Sequence, residues 1–173
     1  HNLKNSKFLC IGLGETSKLS IRHLHQKGIK KIKITNRTKS KLDKFCTELD
    51  YESIKFKDYK KEILKSDVVI FSTSSKSPLL TKKDIESNIK KRKNKLLLVD
   101  LSVPRNLSTD LEELKKIEII NIDNLKDTVN ENYKKRKAEV IKAELYTEEF
   151  LVDFHDWTNS RLLRPSILSL KKQ

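Results

Sequence analysis

A chain of 173 residues can bury a sizeable core and suits one α/β domain with one further element. It has no apolar run of the roughly 18 residues that a membrane helix needs, and its start, HNLKNSK, lacks a signal core, so composition predicts a soluble, unexported protein without a membrane partner. The formal charge of +14 would attract polyanions such as RNA, yet the lysines of KGIKKIKI, IKKRKNK and YKKRKAE are equally a set of solvated faces, and charge alone names no function.

In chain order, apolar and β-branched runs at KFLCI, KIKIT, SIKF, DVVIFS, KLLLVDL and IEIIN read as strands, separated by segments with apolar residues at helical spacing, such as Leu42, Phe45, Cys46 and Leu49. Thr38 and Thr81 are placed to cap helices, and Gly28 to close the first one. The near-continuous apolarity of VVIF and LLLV predicts strands buried on both faces, hence a Rossmann-like, doubly wound parallel sheet of about six strands within residues 1–122. Asp123 can cap a helix beginning at Asn124, and neither proline nor glycine interrupts the chain through Trp157. Those residues would extend about 50 Å at about 1.5 Å each, far beyond an ordinary globular helix. Leu125, Val129, Tyr133 and Val140 are sparse along it, whereas Phe150, Leu151, Phe154 and Trp157 crowd its end, as expected for a partner surface; a helix folded back on its own sheet is the other reading.

The turn after the first strand carries the sharpest chemistry. Gly12, Leu13, Gly14, Glu15, Thr16 and Ser17 spell G-x-G-x-x-S, with serine where a third glycine is usual. Gly12 permits a tight turn, Gly14 lets backbone approach a pyrophosphate, and a helix starting near Glu15 aims free N–H groups at the anion. An ordinary strand–helix corner would share the two glycines. An NAD site would place Asp or Glu about 20 residues on, accepting from the ribose hydroxyls. Asn36 stands there instead, followed by Arg37 and Thr38, which offer a guanidinium and a hydroxyl to a 2′-phosphate, so the pattern predicts NADPH. Thr73, Ser74 and Ser75 end a later strand with small polar groups that either admit a nicotinamide ring or form a loop without function, and Asp100, Ser102, Pro104 and Arg105 end the next, where they would shape the mouth. No metal-ligand spacing is present. Cys10 and Cys46 read as buried thiols of a reducing compartment, and His23, His25 and His155 lie on helices without convergent partners.

GLGETSK, NRT, DVVIFSTSSKSPLLTKKDI, LLLVDLSVPRNL and NIDNLKDTVNENYKKRKAE together resemble the glutamyl-tRNA reductases over nearly the whole chain, with Ser17 as a departure in the glycine-rich turn. The resemblance implies an NADPH-binding domain (1–122), a spinal helix (123–157) and the start of a dimerisation domain (158–173). It further implies glutamyl-tRNA as substrate, reduced to glutamate-1-semialdehyde in tetrapyrrole synthesis, a homodimer through the C-terminal helical region, and the aminomutase that takes the semialdehyde as a further partner. The compartment would be the cytoplasm, or the stroma in a plastid-bearing eukaryote. The family's nucleophilic cysteine belongs to an N-terminal domain, and neither Cys10 nor Cys46 matches it, so no catalytic residue is assigned. With His1 at the start and SLKKQ at the end, the chain is expected to be a piece of a longer protein, with Phe154, Trp157, Leu162 and Leu163 exposed where it stops. A shikimate-dehydrogenase-like NADP oxidoreductase, sharing the glycine turn and NRT, and a noncatalytic NADP- or RNA-binding module are the alternatives.

Overall fold

The computed structural model describes residues 3–170, and within residues 126–170 it describes the side chains of 133, 136, 137, 139, 140, 142–144, 146–148, 150–158 and 161. The chain divides into two units, His1–Leu125 and Lys126–Gln173. In the first, β1 (Phe8–Ile11), α1 (Glu15–Gln26), β2 (Ile32–Thr35), α2 (Lys39–Leu49), β3 (Glu52–Ile54), α3 (Tyr59–Ile63), β4 (Val68–Phe71), α4 (Lys82–Ile89), β5 (Leu96–Asp100) and β6 (Ile117–Asn121) follow one another. The six strands are all parallel in the order β3-β2-β1-β4-β5-β6, the expected doubly wound sheet.

Side chains alternate across each strand, and the two resulting faces make two cores. Leu9 and Ile11 of β1, Val69 and Phe71 of β4 and Leu96 and Leu98 of β5 pack with Ile63 of α3, Ile85 and Ile89 of α4 and Leu111. Phe8, Cys10, Ile32, Ile34, Val68 and Ile70 pack on the other face with Ile21 of α1 and Leu42, Phe45 and Cys46 of α2. The strand–helix rhythm lapses between β5 and β6, where a 3-10 turn over Thr109–Glu113 serves as the crossover. Leu97, Val99 and Leu101 on the opposite face are therefore only partly buried.

The helix ends divide between those the sequence marks and those it does not. Thr81 and Asp84 form a reciprocal capping box on α4, and Gly28 follows α1 with φ of 77°. Although burial pushes its carboxyl up, Asp84 lies below the usual carboxylate range, held there by the Lys60 ammonium and by the N–H and hydroxyl of Thr81. Thr38 occupies the N-cap position of α2, but its side chain makes no cap hydrogen bond. The cap of α5 (Ile122–Leu170) is Asn121, not Asp123. The helix begins earlier than expected, so the side-chain Oδ1 of Asn121 accepts from the N–H groups of Asp123 and Asn124, while Asn124 Oδ1 accepts from the Asn121 N–H, each at 3.0 Å. Within the second unit α5 continues past Trp157, and Phe150, Leu151, Phe154 and Trp157 are exposed. Val129, Leu162 and Leu163 lie outside the described side chains. No described helix is long and apolar enough to cross a membrane.

Burial fixes the chemistry of both cysteines. It pushes the Cys10 thiol up to about 12, with Cys46 adding to the shift, and the Cys46 thiol up to about 11, with Asp43 adding to it. Thiolate, the reactive form, is thus scarce at neutral pH. A disulfide reagent at pH 8 is expected to modify neither cysteine of the folded chain within minutes and both after denaturation; one fast-reacting thiol in the native protein would contradict this placement.

Candidate functional site

At the carboxyl end of the sheet, where the strand order reverses between β1 and β4, lies a cleft of about 390 Å³. Its floor is the turn after β1. Gly12 has φ of 101° and is wedged between the neighbouring strand ends: its N–H donates to the Thr35 carbonyl at 2.8 Å, and a Cβ there would stand 2.1 Å from the Ser72 carbonyl oxygen. Only glycine meets both conditions. Gly14 is different, since a Cβ there would meet nothing within 4 Å. That open space lies at the N-cap of α1, whose first-turn N–H groups have no partner within the helix, and it fits a pyrophosphate. Leu13, Glu15 and Thr16 line the cleft beside the two glycines. Glu15 is paired to Lys18 at 2.8 Å, and that bond holds its carboxyl below the usual range. Ser17 does not line the cleft; it is buried, and its hydroxyl donates to the Gly12 carbonyl at 2.7 Å, fastening helix to turn from beneath.

The far wall is built around Asp100. Its buried carboxylate accepts from the N–H groups of Ser102 at 3.0 Å, Asn106 at 2.7 Å and Leu107 at 3.0 Å, folding residues 101–107 into a tight loop. Asn106, also buried, extends the hold to the neighbouring strand end. Its Oδ1 accepts from the Thr73 and Ser102 hydroxyls, and its Nδ2 donates to the carbonyls of Ser75 at 3.3 Å and Pro104 at 3.4 Å. The Thr73 N–H donates to Ser102 Oγ, and the Ser75 N–H to Thr73 Oγ1. Ser72, Thr73, Ser74, Ser75, Leu101, Ser102 and Val103 line the cleft above this network. Arg105, expected at the mouth, does not line it and pairs with Asp123 at 2.9 Å.

The third side is the end of β2. Asn36, Arg37 and Thr38 line the cleft there, with Asn36 Nδ2 donating to the Thr38 carbonyl at 3.3 Å. Two residues that sequence reasoning did not single out join them: Lys41, one turn into α2, and Phe56, from a 3-10 turn after β3. Lys41 follows Thr38 at helical spacing and was legible in principle. Phe56 reaches the site only through the pairing of β3 with β2, and no local pattern announces it. Among the described residues the one carboxylate lining the cleft is Glu15, at the start of α1. Of the histidines, His25 bonds the Tyr51 hydroxyl at 3.0 Å and His23 meets Gln26 at 3.2 Å, both outside the cleft. Among the described residues no group of His, Cys, Asp and Glu could hold a metal ion.

The family model described as Shikimate / quinate 5-dehydrogenase matches residues 1–128. The glutamyl-tRNA reductase of a Sulfurihydrogenibium species is 36% identical over 170 residues, covering 98% of this chain and 38% of that protein. The glutamyl-tRNA reductase of Chlorobium limicola is 35% identical over 174 residues, covering 99% and 41%. The chain therefore spans about two fifths of the length of these curated relatives. Among solved structures, glutamyl-tRNA reductase from Methanopyrus kandleri superposes with a TM-score of 0.73 at 26% identity, over 81% of this chain and 36% of that one. The nucleotide-binding domain of the Thermoplasma volcanium glutamyl-tRNA reductase, at 21% identity and a TM-score of 0.57 over 76% of this chain and 86% of that one, shares the fold.

The two glycines are expected to fail differently. Gly12→Ala should lower stability by roughly 1–3 kcal/mol for the strained backbone, with overpacking against Ser72 of similar size in addition. Gly14→Val should melt near the parent temperature yet lose most binding of any pyrophosphate-bearing dinucleotide. Thermal melts and cofactor titrations of both variants check this, and unimpaired dinucleotide binding by Gly14→Val would remove the pyrophosphate from this turn.

Proposed function

The chain belongs to the Shikimate / quinate 5-dehydrogenase family, and within it we propose that this chain is the NADPH-holding part of a glutamyl-tRNA reductase, carried with its long helix. The observation that carries the reading is the reach of the likeness. Similarity to the reductases extends over 98–99% of the chain and so through α5, whereas the family model stops at residue 128. A shikimate-dehydrogenase-like reading accounts for the sheet and leaves the rest of α5 without a purpose.

The family implies a nicotinamide dinucleotide, and the choice of NADPH rests on the β2 end of the cleft. Arg37, Thr38 and Lys41 gather there with no carboxylate beside them, a surrounding suited to a 2′-phosphate. The first-turn N–H groups of α1 and the space over Gly14 would hold the pyrophosphate, and the Thr73–Ser75 backbone would border the nicotinamide. Bound there, the cofactor supplies a hydride. The chain's own contribution is to orient it, because Cys10 and Cys46 are buried with raised pKa values and neither can serve as the nucleophile. In the whole enzyme the substrate is glutamyl-tRNA and the product glutamate-1-semialdehyde, passed on to an aminomutase. The exposed Phe150, Leu151, Phe154 and Trp157 of α5 favour assembly as a homodimer through the C-terminal region.

Charge-assisted hydrogen bonds of about 1.5–3 kcal/mol correspond to roughly 10- to 150-fold in affinity. Arg37→Ala should therefore weaken NADPH binding within that range and leave NADH binding nearly unchanged, and Asn36→Asp should narrow or reverse the preference. Titrations at fixed salt decide this, with equal losses for both cofactors telling against NADPH. Supplied with NADPH and glutamyl-tRNA, the 173-residue chain should form no semialdehyde; product would contradict the absence of a nucleophile.

A further inference from the structure

The first unit contains four arginines, and three of them have their guanidinium groups committed to carboxylates. Arg22 pairs with Glu48 at 2.8 Å, Arg105 pairs with Asp123 at 2.9 Å, and Arg92 donates to the carbonyls of Leu64 and Ser66 with Asp67 at 3.7 Å. Arg37 is the exception: among the described residues its guanidinium takes part in no hydrogen bond or ion pair. What it does touch is an aromatic face, with its central carbon 5.6 Å from the centroid of the Phe56 ring. A cation over a ring is held without using any N–H donor, so the planar fork stays whole for a ligand. The ring itself is fixed from behind. Phe56 packs against Tyr59 at 5.1 Å between centroids, and the Tyr59 hydroxyl donates to the Leu79 carbonyl at 2.7 Å.

From this we infer that Phe56 is a positioning residue for dinucleotide choice, holding the Arg37 guanidinium at the cleft with its donors directed to the phosphate that distinguishes NADP from NAD. The inference rests on the NADPH reading and adds to it the residue that makes an exposed, flexible arginine selective. A salt bridge could fix Arg37 equally well, but a carboxylate there would compete for the same donors and repel the phosphate. An aromatic face avoids both effects. Phe56 thus acts through Arg37, not by touching the phosphate.

The test is a double-mutant cycle on the 173-residue chain, with Phe56→Leu, Arg37→Ala and the pair, each titrated with NADPH and NADH at fixed salt and each checked by thermal melting. An exposed cation–π contact corresponds to about two- to fivefold in affinity. Phe56→Leu should therefore weaken NADPH by about that factor, leave NADH unchanged, and have no further effect once Arg37 is alanine. Phe56→Tyr, which keeps the ring, should retain the preference, and it decides the matter if the leucine variant melts early. Additive losses in the double variant, equal losses for the two cofactors, or an undiminished preference in Phe56→Leu would each overturn the positioning role while leaving the NADPH reading in place. Lack of NADPH preference in the parent chain would instead overturn that reading, and the inference with it.

Discussion

A carboxylate buried at the end of β5 governs the geometry of the cleft. Asp100 has three backbone N–H groups for partners and no ion pair among the described residues, so the loop over residues 101–107 must fold back on it to supply them. A buried carboxylate left short of donors would cost several kcal/mol, so the loop has little freedom to do otherwise. Asn106 then passes the constraint onward. Its side chain ties down Thr73 and Ser75, and its carbonyl accepts from the N–H groups of Leu79 and Leu80. Leu79 in turn anchors Tyr59, whose ring backs Phe56. The Thr73–Ser75 side and the Arg37 side of the cleft are thus joined by one line of contacts that runs from Asp100 to Phe56.

The same economy appears in the charges. With 38 basic residues against 24 acidic ones, several acids of the first unit find a cation, as in Lys33 between Glu52 and Glu62, or Lys60 beside Asp84. Surface pairs of this kind contribute little to stability. Their importance lies in where they are missing. At the β2 end of the cleft, among the described residues, no ion pair engages Arg37 or Lys41, so both cations remain for a ligand.

How far the sequence foretold this depended on the range of the forces involved. The central strands β1 and β4 were legible because burial on both faces demands unbroken apolar runs, and the glycine turn because φ of 101° at Gly12 leaves no other residue. Arg37 and Thr38 were legible by contrast with the acid expected near them. Asn106 was hidden: in PRNL it reads as a polar loop residue, and its role exists only once β4 and β5 lie side by side. Phe56 was hidden for the same reason, belonging by pattern to a short edge strand that in fact stops at Ile54. The cap at Asn121 was misread by two residues because Asn and Asp are both good caps and the sequence NID sets them close together.

Gly12 and Gly14 sit in one motif, but they answer to different masters. A side chain on the first would strike the protein's own carbonyl at Ser72, whereas one on the second would meet no protein atom within 4 Å of its Cβ. A descendant of this chain that had lost its nucleotide would still be compelled to keep Gly12, whereas Gly14 would be free to drift. In a lineage of such domains, a pyrophosphate over this turn would leave its record in the second glycine alone, and the first would record only that the fold endures.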